Sequence, residues 1–222
     1  MNIKRKNKIR VRLNINCFGM IIVLIFLFSG ITKAQNYFIK YLTTKDGLTN
    51  GCIHDIVQDK KGFMWFATEA GLNRYDGYEI KTYSFGQNQI RSIYEDSTSD
   101  SKYLWIGTGS GGLIKFNEEN EKYTQYRHIK DDQSSISDNQ VNSICKDKDG
   151  FIWVGTNNGG LNKFDPHTGK FTSYLNNPNY PYSIKSNSVM TVLEDYLGYI
   201  WVGTYYGGLD RFDPKTNKFY HY

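Results

Sequence analysis

Proline and cysteine are scarce in this chain, and no long stripe of apolar residues has helical spacing. Four Pro and three Cys occur among 222 residues, whereas Gly contributes 21 residues and aromatic side chains 16%. Cys17 lies in an apolar run near the N-terminus, and Cys52 and Cys145 belong to repeats that are not neighbours. We therefore expect no disulfide between Cys52 and Cys145, and a fold made of strands and turns.

Signatures of enzymatic chemistry are equally sparse. No spacing of Cys and His predicts a zinc site, and the run from Asp147 to Gly150 lacks the further oxygen ligands and the Glu of a calcium loop. A phosphate-cradling glycine loop and a nucleophile elbow are also missing. The histidines share no recurring partner: His54, His128, His167 and His221. The sequence therefore predicts no cofactor, no metal and no catalytic residue.

The first 34 residues differ in kind from the rest. Six basic residues between Lys4 and Arg12 precede an apolar run from Cys17 to Phe28, and small residues follow up to Ala34. This order predicts a secretory signal peptide over residues 1–34, with cleavage after Ala34. The alternative is an uncleaved membrane anchor, but its apolar run of about 15 residues is short of the roughly 20 that span a bilayer.

Export also changes the meaning of the net charge. The first 34 residues carry seven of the 27 basic residues and none of the 22 acidic ones. Without them, 20 basic residues face 22 acidic residues, so the formal charge of +5 becomes about −2. Nucleic-acid binding needs a basic patch on the folded domain, and none is evident. We expect no nucleic-acid partner.

A repeat organises the remainder of the chain. Trp65, Trp105, Trp153 and Trp201 are separated by 40, 48 and 48 residues, the length of a propeller blade with four short strands. Each Trp follows a strand-like pattern of apolar, two residues, apolar, two residues, Asp, which ends at Asp59, Asp96, Asp147 or Asp195. We interpret these Asp residues as turn formers and the Trp side chains as packing between neighbouring blades. The second repeat has three extra residues, which predict a longer loop from Ser97 to Tyr103.

These patterns predict an all-β fold, a β-propeller of four four-stranded blades that forms a partial, open part of a larger ring. The blades are expected at about residues 48–84, 88–127, 137–175 and 185–222. Residues 37–42 resemble an additional N-terminal outer strand, although the fourth repeat already has its own. Open blade faces and edges predict self-association.

The residues that vary between repeats are the candidates for ligand binding. Two variable residues follow each Gly-Thr or Ala-Thr pair at the tip of the same hairpin, and so lie on one face of the ring. The candidate ligand-binding residues are Glu69, Asn157, Asn158, Tyr205 and Tyr206. Aromatic rings stack on sugars and amides bind hydroxyls, so Tyr and Asn suit an oligosaccharide. The alternative is that these are ordinary exposed turn residues.

The repeat resembles the two-component regulator propeller repeat. The resemblance rests on the Asp, Gly, Trp-Val-Gly-Thr, Gly-Gly-Leu and Phe-Asp-Pro elements and extends from Leu42 to Tyr222. The run from Tyr41 to Asn50 is similar to the start of the periplasmic sensor region of hybrid two-component systems of Bacteroidetes. The resemblance implies a periplasmic sensor, often for products of polysaccharide breakdown, whose signal reaches a histidine kinase.

The kinase modules of that family are not among these residues, so we expect a non-enzymatic N-terminal fragment of such a sensor, with the rest of the kinase as partner. One alternative is an exported carbohydrate-active enzyme, a lyase or glycosidase, which needs convergent carboxylates or a Tyr/His pair. Another alternative is a protein-binding scaffold.

Overall fold

The computed structural model describes residues 39–86, 89–96 and 103–222. Its contacts divide the chain into residues 1–41 and 42–222. The predicted signal peptide, residues 1–34, lies outside the described residues. In the part of the chain that is described, no helix is long and apolar enough to cross a membrane.

Four antiparallel sheets make up residues 42–222, after a short 3-10 helix at Thr44–Asp46. Blade 1 contains β1 (Ile53–Gln58), β2 (Met64–Thr68), β3 (Gly71–Tyr75) and β4 (Ile80–Tyr83). Blade 2 contains β5 (Ile90–Glu95), β6 (Tyr103–Thr108), β7 (Leu113–Asn117) and β8 (Tyr123–Tyr126). Blade 3 contains β9 (Val141–Lys146), β10 (Ile152–Thr156), β11 (Leu161–Asp165) and β12 (Lys170–Tyr174). Blade 4 contains β13 (Val189–Glu194), β14 (Ile200–Thr204), β15 (Gly208–Asp213) and β16 (Lys218–His221). The predicted all-β fold of four four-stranded blades is confirmed.

The blades form an open arc. The first strand of each blade is its inner strand, and β1, β5, β9 and β13 lie side by side in that order. Three apolar clusters fill the gaps between blades 1 and 2, blades 2 and 3, and blades 3 and 4. Within the described residues no such cluster joins blade 4 to blade 1, which confirms the predicted open arrangement.

The repeated Trp side chains fill the gaps between blades. Trp65, Trp105 and Trp153 are at most 1% exposed. Each packs against a Phe on the third strand of the following blade, as Trp153 does against Phe212 at 5.4 Å between ring centroids. Trp201 is only partly buried, and its ring packs against Tyr222 of its own blade. The predicted structural role therefore holds where a following blade is present.

The repeated Asp ties the turn to the Trp. Asp147 Oδ1 accepts hydrogen bonds from the amides of Asp149 (3.0 Å) and Phe151 (2.9 Å), and its Oδ2 accepts one from Trp153 Nε1 at 2.7 Å. Blades 1 and 4 repeat these bonds from Asp59 and Asp195. The prediction of a turn-forming Asp is confirmed, and the indole bond adds a reason for its fixed distance from the Trp.

Blade 2 departs from this arrangement. Asp96 Oδ1 forms an ion pair with Lys146 Nζ of blade 3 at 2.6 Å, and the buried Trp105 Nε1 has no hydrogen-bond partner in the part of the chain that the structure describes. In the sequence, Trp105 follows Asp96 by nine residues, whereas in the other three repeats the Trp follows the Asp by six, so the spacing that allows the indole bond is lost. Of the predicted loop, residues 97–102 lie outside the described residues, and Tyr103 begins β6.

The expected N-terminal outer strand is not formed at residues 39–42, which belong to no strand. The reason is that each of the four sheets already has its own fourth strand. Thr43 instead caps the 3-10 helix, where its Oγ1 accepts the amide of Lys45 at 3.2 Å and its amide donates to Asp46 Oδ2 at 2.8 Å. Residues 37 and 38 lie outside the described residues.

Candidate functional site

The hairpins between the second and third strands point to one face of the arc, which we call the hairpin face. It comprises the hairpin tips at residues 69–70, 109–111, 157–159 and 205–207. Three tips are tied to the segment that precedes the inner strand of the same blade, because the amides of Gly109, Asn157 and Tyr205 donate to carbonyls at 2.9, 3.0 and 2.8 Å. The variable tip residues of these blades therefore lie beside the start of their inner strands.

Bonds to the next blade hold two of these tips in place. The amide of Gly112 donates to the carbonyl of Asn139, and the amide of Gly160 donates to that of Asn187, both at 2.8 Å. Gly160 has a φ of +67°, and a Cβ there would collide with the carbonyl oxygen of Tyr174. Glycine is thus required where this tip docks on the next blade.

The predicted ligand-binding residues all lie on the hairpin face but belong to three blades. Glu69 is at the tip of blade 1, half exposed, and its Oε1 lies 3.3 Å from His54 Nε2 and accepts a bond from Gln89 Nε2 at 3.3 Å. Asn157 is half-buried at the tip of blade 3, and Asn158 is exposed beside it. None of the described side-chain contacts brings these three residues into one cluster.

Tyr205 and Tyr206 form an exposed aromatic pair at the tip of blade 4. Their exposed fractions are 54% and 94%, and their ring centroids are 4.2 Å apart. A side-chain hydrogen bond from Tyr205 raises the pKa of Tyr206. Tyr206 adopts a φ of +64°, a conformation that is uncommon for a bulky residue. Two exposed rings held in contact offer an apolar platform to a ligand.

A second set of residues was missed by the sequence analysis. The pairing of each inner strand with its neighbour shifts at the second residue of the strand, which is the position of a β-bulge in every blade. The bulged residues are His54, Arg91, Asn142 and Met190. Bulges redirect side chains and are common beside functional sites. The available signal was a variable residue directly after the first apolar residue of each repeat.

Several of these residues join into a polar row that crosses from blade 1 to blade 3. The polar row consists of Glu69, His54, Gln89, Arg91 and Asn142. Arg91 Nη2 donates to Gln89 Oε1 at 3.5 Å, and Arg91 Nη1 donates to Asn142 Oδ1 at 3.4 Å. Asn142 Nδ2 continues to the carbonyl of Val189 at 2.9 Å, at the start of the inner strand of blade 4. The row thus links all four blades at the hairpin face.

Arg91 is the residue of this row with unused hydrogen-bonding capacity. Its two side-chain contacts are at the long limit for a hydrogen bond, and its Nε is buried without a partner among the described residues. A guanidinium carries five N–H donors and forms its best bonds with carboxylates and other strong acceptors. The geometry is suited to binding a ligand that brings such acceptors.

A groove of about 640 Å³ lies elsewhere, along the outer strand of blade 3. Part of its polar lining is bonded within the protein: His128 Nδ1 lies 2.9 Å from the carbonyl of Ile136, and Ser135 Oγ donates to that of Asp132 at 2.8 Å. These bonds shape the segment between β8 and β9. The groove has the size of a ligand site.

The three sequence matches to the two component regulator propeller family cover residues 47–70, 135–158 and 183–206. Each match begins before an inner strand and ends at a hairpin tip, so it contains both the bulged residue and the Trp. Three of the four repeats of this chain thus match the two component regulator propeller model. The recognition from the sequence is confirmed.

Proteins that resemble this chain include a histidine kinase and the extracellular domain of a hybrid two component system. The chain is 42% identical over 86 residues to histidine kinase P4 of Formosa agariphila, across 37% of this chain and 6% of that protein. It resembles the extracellular domain of the putative hybrid two component system BT3049 from B. thetaiotaomicron at 32% identity with a TM-score of 0.76, across 84% of this chain and 26% of that one.

A second extracellular domain, of the putative hybrid two component system BT4673 from B. thetaiotaomicron, is 24% identical with a TM-score of 0.63, across 77% of this chain and 25% of that one. At this identity the likeness shows the fold alone. The regulator propeller chain thus spans about a quarter of the solved extracellular domains that it resembles and a small part of the kinase.

Proposed function

We propose that this regulator propeller is a periplasmic sensor segment that binds an oligosaccharide on the hairpin face and passes the signal to a histidine kinase. Its role is binding, without catalysis. Support comes from the relatives, one named as a histidine kinase and one as the extracellular domain of a hybrid two component system. The predicted signal peptide supports export to the periplasm.

The observation that carries the proposal is the state of Arg91. Among the described residues, its guanidinium has only long side-chain contacts, and its buried Nε has no partner. Hydrogen bonds from a guanidinium to strong acceptors are roughly twice as strong as bonds between neutral groups, and the hydroxyls or carboxylates of a ligand supply such acceptors to the Nη atoms. Asn142 and Glu69 extend the polar row on either side, so donors and acceptors alternate as the hydroxyls of a sugar require.

The exposed tyrosine pair supplies the second element of the proposed site. Sugars present C–H surfaces that pack on aromatic rings, and Tyr205 and Tyr206 offer two adjacent rings on the same face as the polar row. A chain of several sugar units has both the polar groups and the length to contact more than one blade. This is the reason for proposing an oligosaccharide in place of a monosaccharide.

The test is a panel of neutral and uronate-containing oligosaccharides titrated calorimetrically into the purified chain. For an oligosaccharide that binds, Arg91→Ala should weaken binding by about tenfold or more, because hydrogen bonds to a charged group contribute roughly 1.5–3 kcal/mol. Arg127→Ala is the matched control, since this exposed arginine lies outside the polar row. Equal affinities of the two variants would remove the polar row from the site.

Parallel measurements distinguish the alternatives. Release of reducing ends during incubation would indicate a carbohydrate-active enzyme. Loss of binding in His128→Ala with full binding in Arg91→Ala would place the ligand in the groove of blade 3. Failure of every oligosaccharide, with capture of a defined periplasmic protein, would indicate a scaffold.

Self-association through the outward face of blade 4 is part of the proposal. Leu193 occupies the position of Cys145 in blade 3, opposite the Trp of the neighbouring strand. Cys145 is 8% exposed because blade 4 covers it, whereas Leu193 is 62% exposed. We expect the chain to associate at high concentration and Leu193→Glu to remain monomeric, as measured by sedimentation velocity.

A further inference from the structure

Cys52, His54 and Glu69 come together at the hairpin-face end of blade 1. Their ligand atoms, one from each side chain, all lie within 4.8 Å of one another. His54 Nε2 is 3.3 Å from Glu69 Oε1. Ile53 pairs with Thr68 in the ladder, so the residues that flank this pair, Cys52 and Glu69, are brought to the same end of the sheet.

The local backbone explains why the third side chain joins them. His54 is the bulged residue of β1, skipped where the pairing passes from Ile53 to Asp55. The bulge redirects its ring toward Glu69. The amide of Cys52 donates to Asn50 Oδ1 at 2.7 Å, which fixes the segment that carries the thiol. Strand pairing, the bulge at His54 and the hydrogen bond to Asn50 thus bring the three side chains of the cluster together.

We propose that Cys52, His54 and Glu69 form a binding site for a transition-metal ion of the zinc class. Thiolate, imidazole and carboxylate are the donors that zinc takes in proteins, whereas magnesium and calcium take oxygen donors. Zinc–nitrogen and zinc–oxygen bonds of about 2.0–2.2 Å in a tetrahedron place N and O about 3.3–3.5 Å apart. The separation of His54 Nε2 and Glu69 Oε1, 3.3 Å, already has this value.

The site offers three protein ligands and an open fourth position. All three residues are exposed, so solvent completes the coordination. Gln89 Nε2 donates to Glu69 Oε1 at 3.3 Å and orients the carboxylate from blade 2. When the metal binds, bonds form to Sγ, to neutral Nε2 and to one carboxylate oxygen, and the thiol proton passes to solvent. The ion would fasten the hairpin tip to the start of β1.

The test uses cobalt(II) as a spectroscopic probe, titrated into the purified full chain with its thiols reduced. We expect thiolate-to-cobalt charge-transfer absorption together with ligand-field bands of tetrahedral intensity, and displacement of cobalt by zinc. Loss of a residue that only hydrogen-bonds to a metal ligand costs about 10- to 100-fold in metal affinity. Loss of a ligand itself, in Cys52→Ser or His54→Ala, should therefore weaken metal binding by about 100-fold or more. Cys52→Ser should also remove the charge-transfer absorption.

Matched controls keep the test specific. Cys17→Ser, Cys145→Ser and His167→Ala leave the three ligands intact, so each should retain the cobalt spectrum and the affinity. Zinc should raise the melting temperature of the parent chain and of these controls, but not that of Cys52→Ser. An unchanged cobalt affinity in Cys52→Ser, or a spectrum without thiolate absorption, would overturn the proposal. Arg91 is not one of the metal ligands, so the effect of Arg91→Ala on oligosaccharide binding can be measured independently of the cobalt titration.

Discussion

Two substitutions of the repeated tryptophan test how the blades are held together. Trp153 is fully buried, with its ring 5.4 Å from Phe212 of blade 4 and 5.8 Å from Tyr174, and its Nε1 bonded to Asp147. Replacement of a buried Trp by Ala costs about 3–5 kcal/mol, because transfer energy is lost and a cavity remains. We expect Trp153→Ala to lower the free energy of unfolding by this amount.

Trp201 provides the matched comparison because no following blade covers it. It keeps the bond from Nε1 to Asp195 at 2.7 Å and one ring contact, with Tyr222 at 5.3 Å. A hydrogen bond contributes about 1 kcal/mol and an aromatic pair about 1 kcal/mol. We therefore expect Trp201→Ala to cost about 2 kcal/mol, clearly less than Trp153→Ala.

The assay is equilibrium unfolding in urea, followed by far-ultraviolet circular dichroism, with the midpoint and slope of each variant compared with those of the parent chain. Because repeat proteins can unfold in steps, a change of slope must be checked before the midpoints are converted to energies. An equal loss of stability in the two variants would refute the argument that the packing of the next blade supplies the difference.

Three further predictions follow from packing and ionisation. Gly155→Ala places a Cβ 2.5 Å from a valine methyl on β13 and should cost about 1–3 kcal/mol in urea unfolding, whereas Gly51→Ala, which meets nothing within 4 Å, should cost little. Burial raises the pKa of the Cys145 thiol to about 12, so peptide mapping after alkylation should find exposed Cys52 labelled in the native chain and Cys145 only after unfolding. Desolvation alone would raise the pKa of the Asp195 carboxyl, but hydrogen bonds from the Trp201 indole and the turn amides outweigh it and lower this pKa below 3.8. Below about pH 4 the unfolded chain therefore binds more protons than the folded chain. The free energy of unfolding should decrease as the pH is lowered, and it should decrease less steeply in Asp195→Asn.

The repeat pattern contained most of the fold. The spacing of Trp, Asp and Gly was sufficient for four sheets and for the turns, because these residues make the same local bonds in blades 1, 3 and 4. The open arc also followed from the strand count. The outer strand at residues 37–42 was expected from its aromatic pattern, although the strand count left it no sheet to join.

The site was less accessible to sequence reasoning. The tip residues were predicted as a site because they vary at a fixed place in the hairpin of each repeat, and this prediction stays untested. Arg91 and Asn142 were not among the candidates because their side-chain direction depends on a bulge, and the variable residue after the first apolar residue of each repeat does not by itself indicate one. His54 and Glu69 meet through strand pairing, so no local spacing motif reveals the cluster with Cys52.

Hydrogen exchange on addition of a binding oligosaccharide is the most direct test of the central claim, that the hairpin face holds the ligand. The account predicts slower exchange at the hairpin tips, residues 157–160 and 205–208, and at the starts of the inner strands, residues 89–92 and 140–143. The turns at the opposite ends of the strands, residues 59–63 and 147–151, should exchange as before. Slower exchange confined to those turns, or to the groove beside His128, would contradict the claim that the hairpin face holds the ligand.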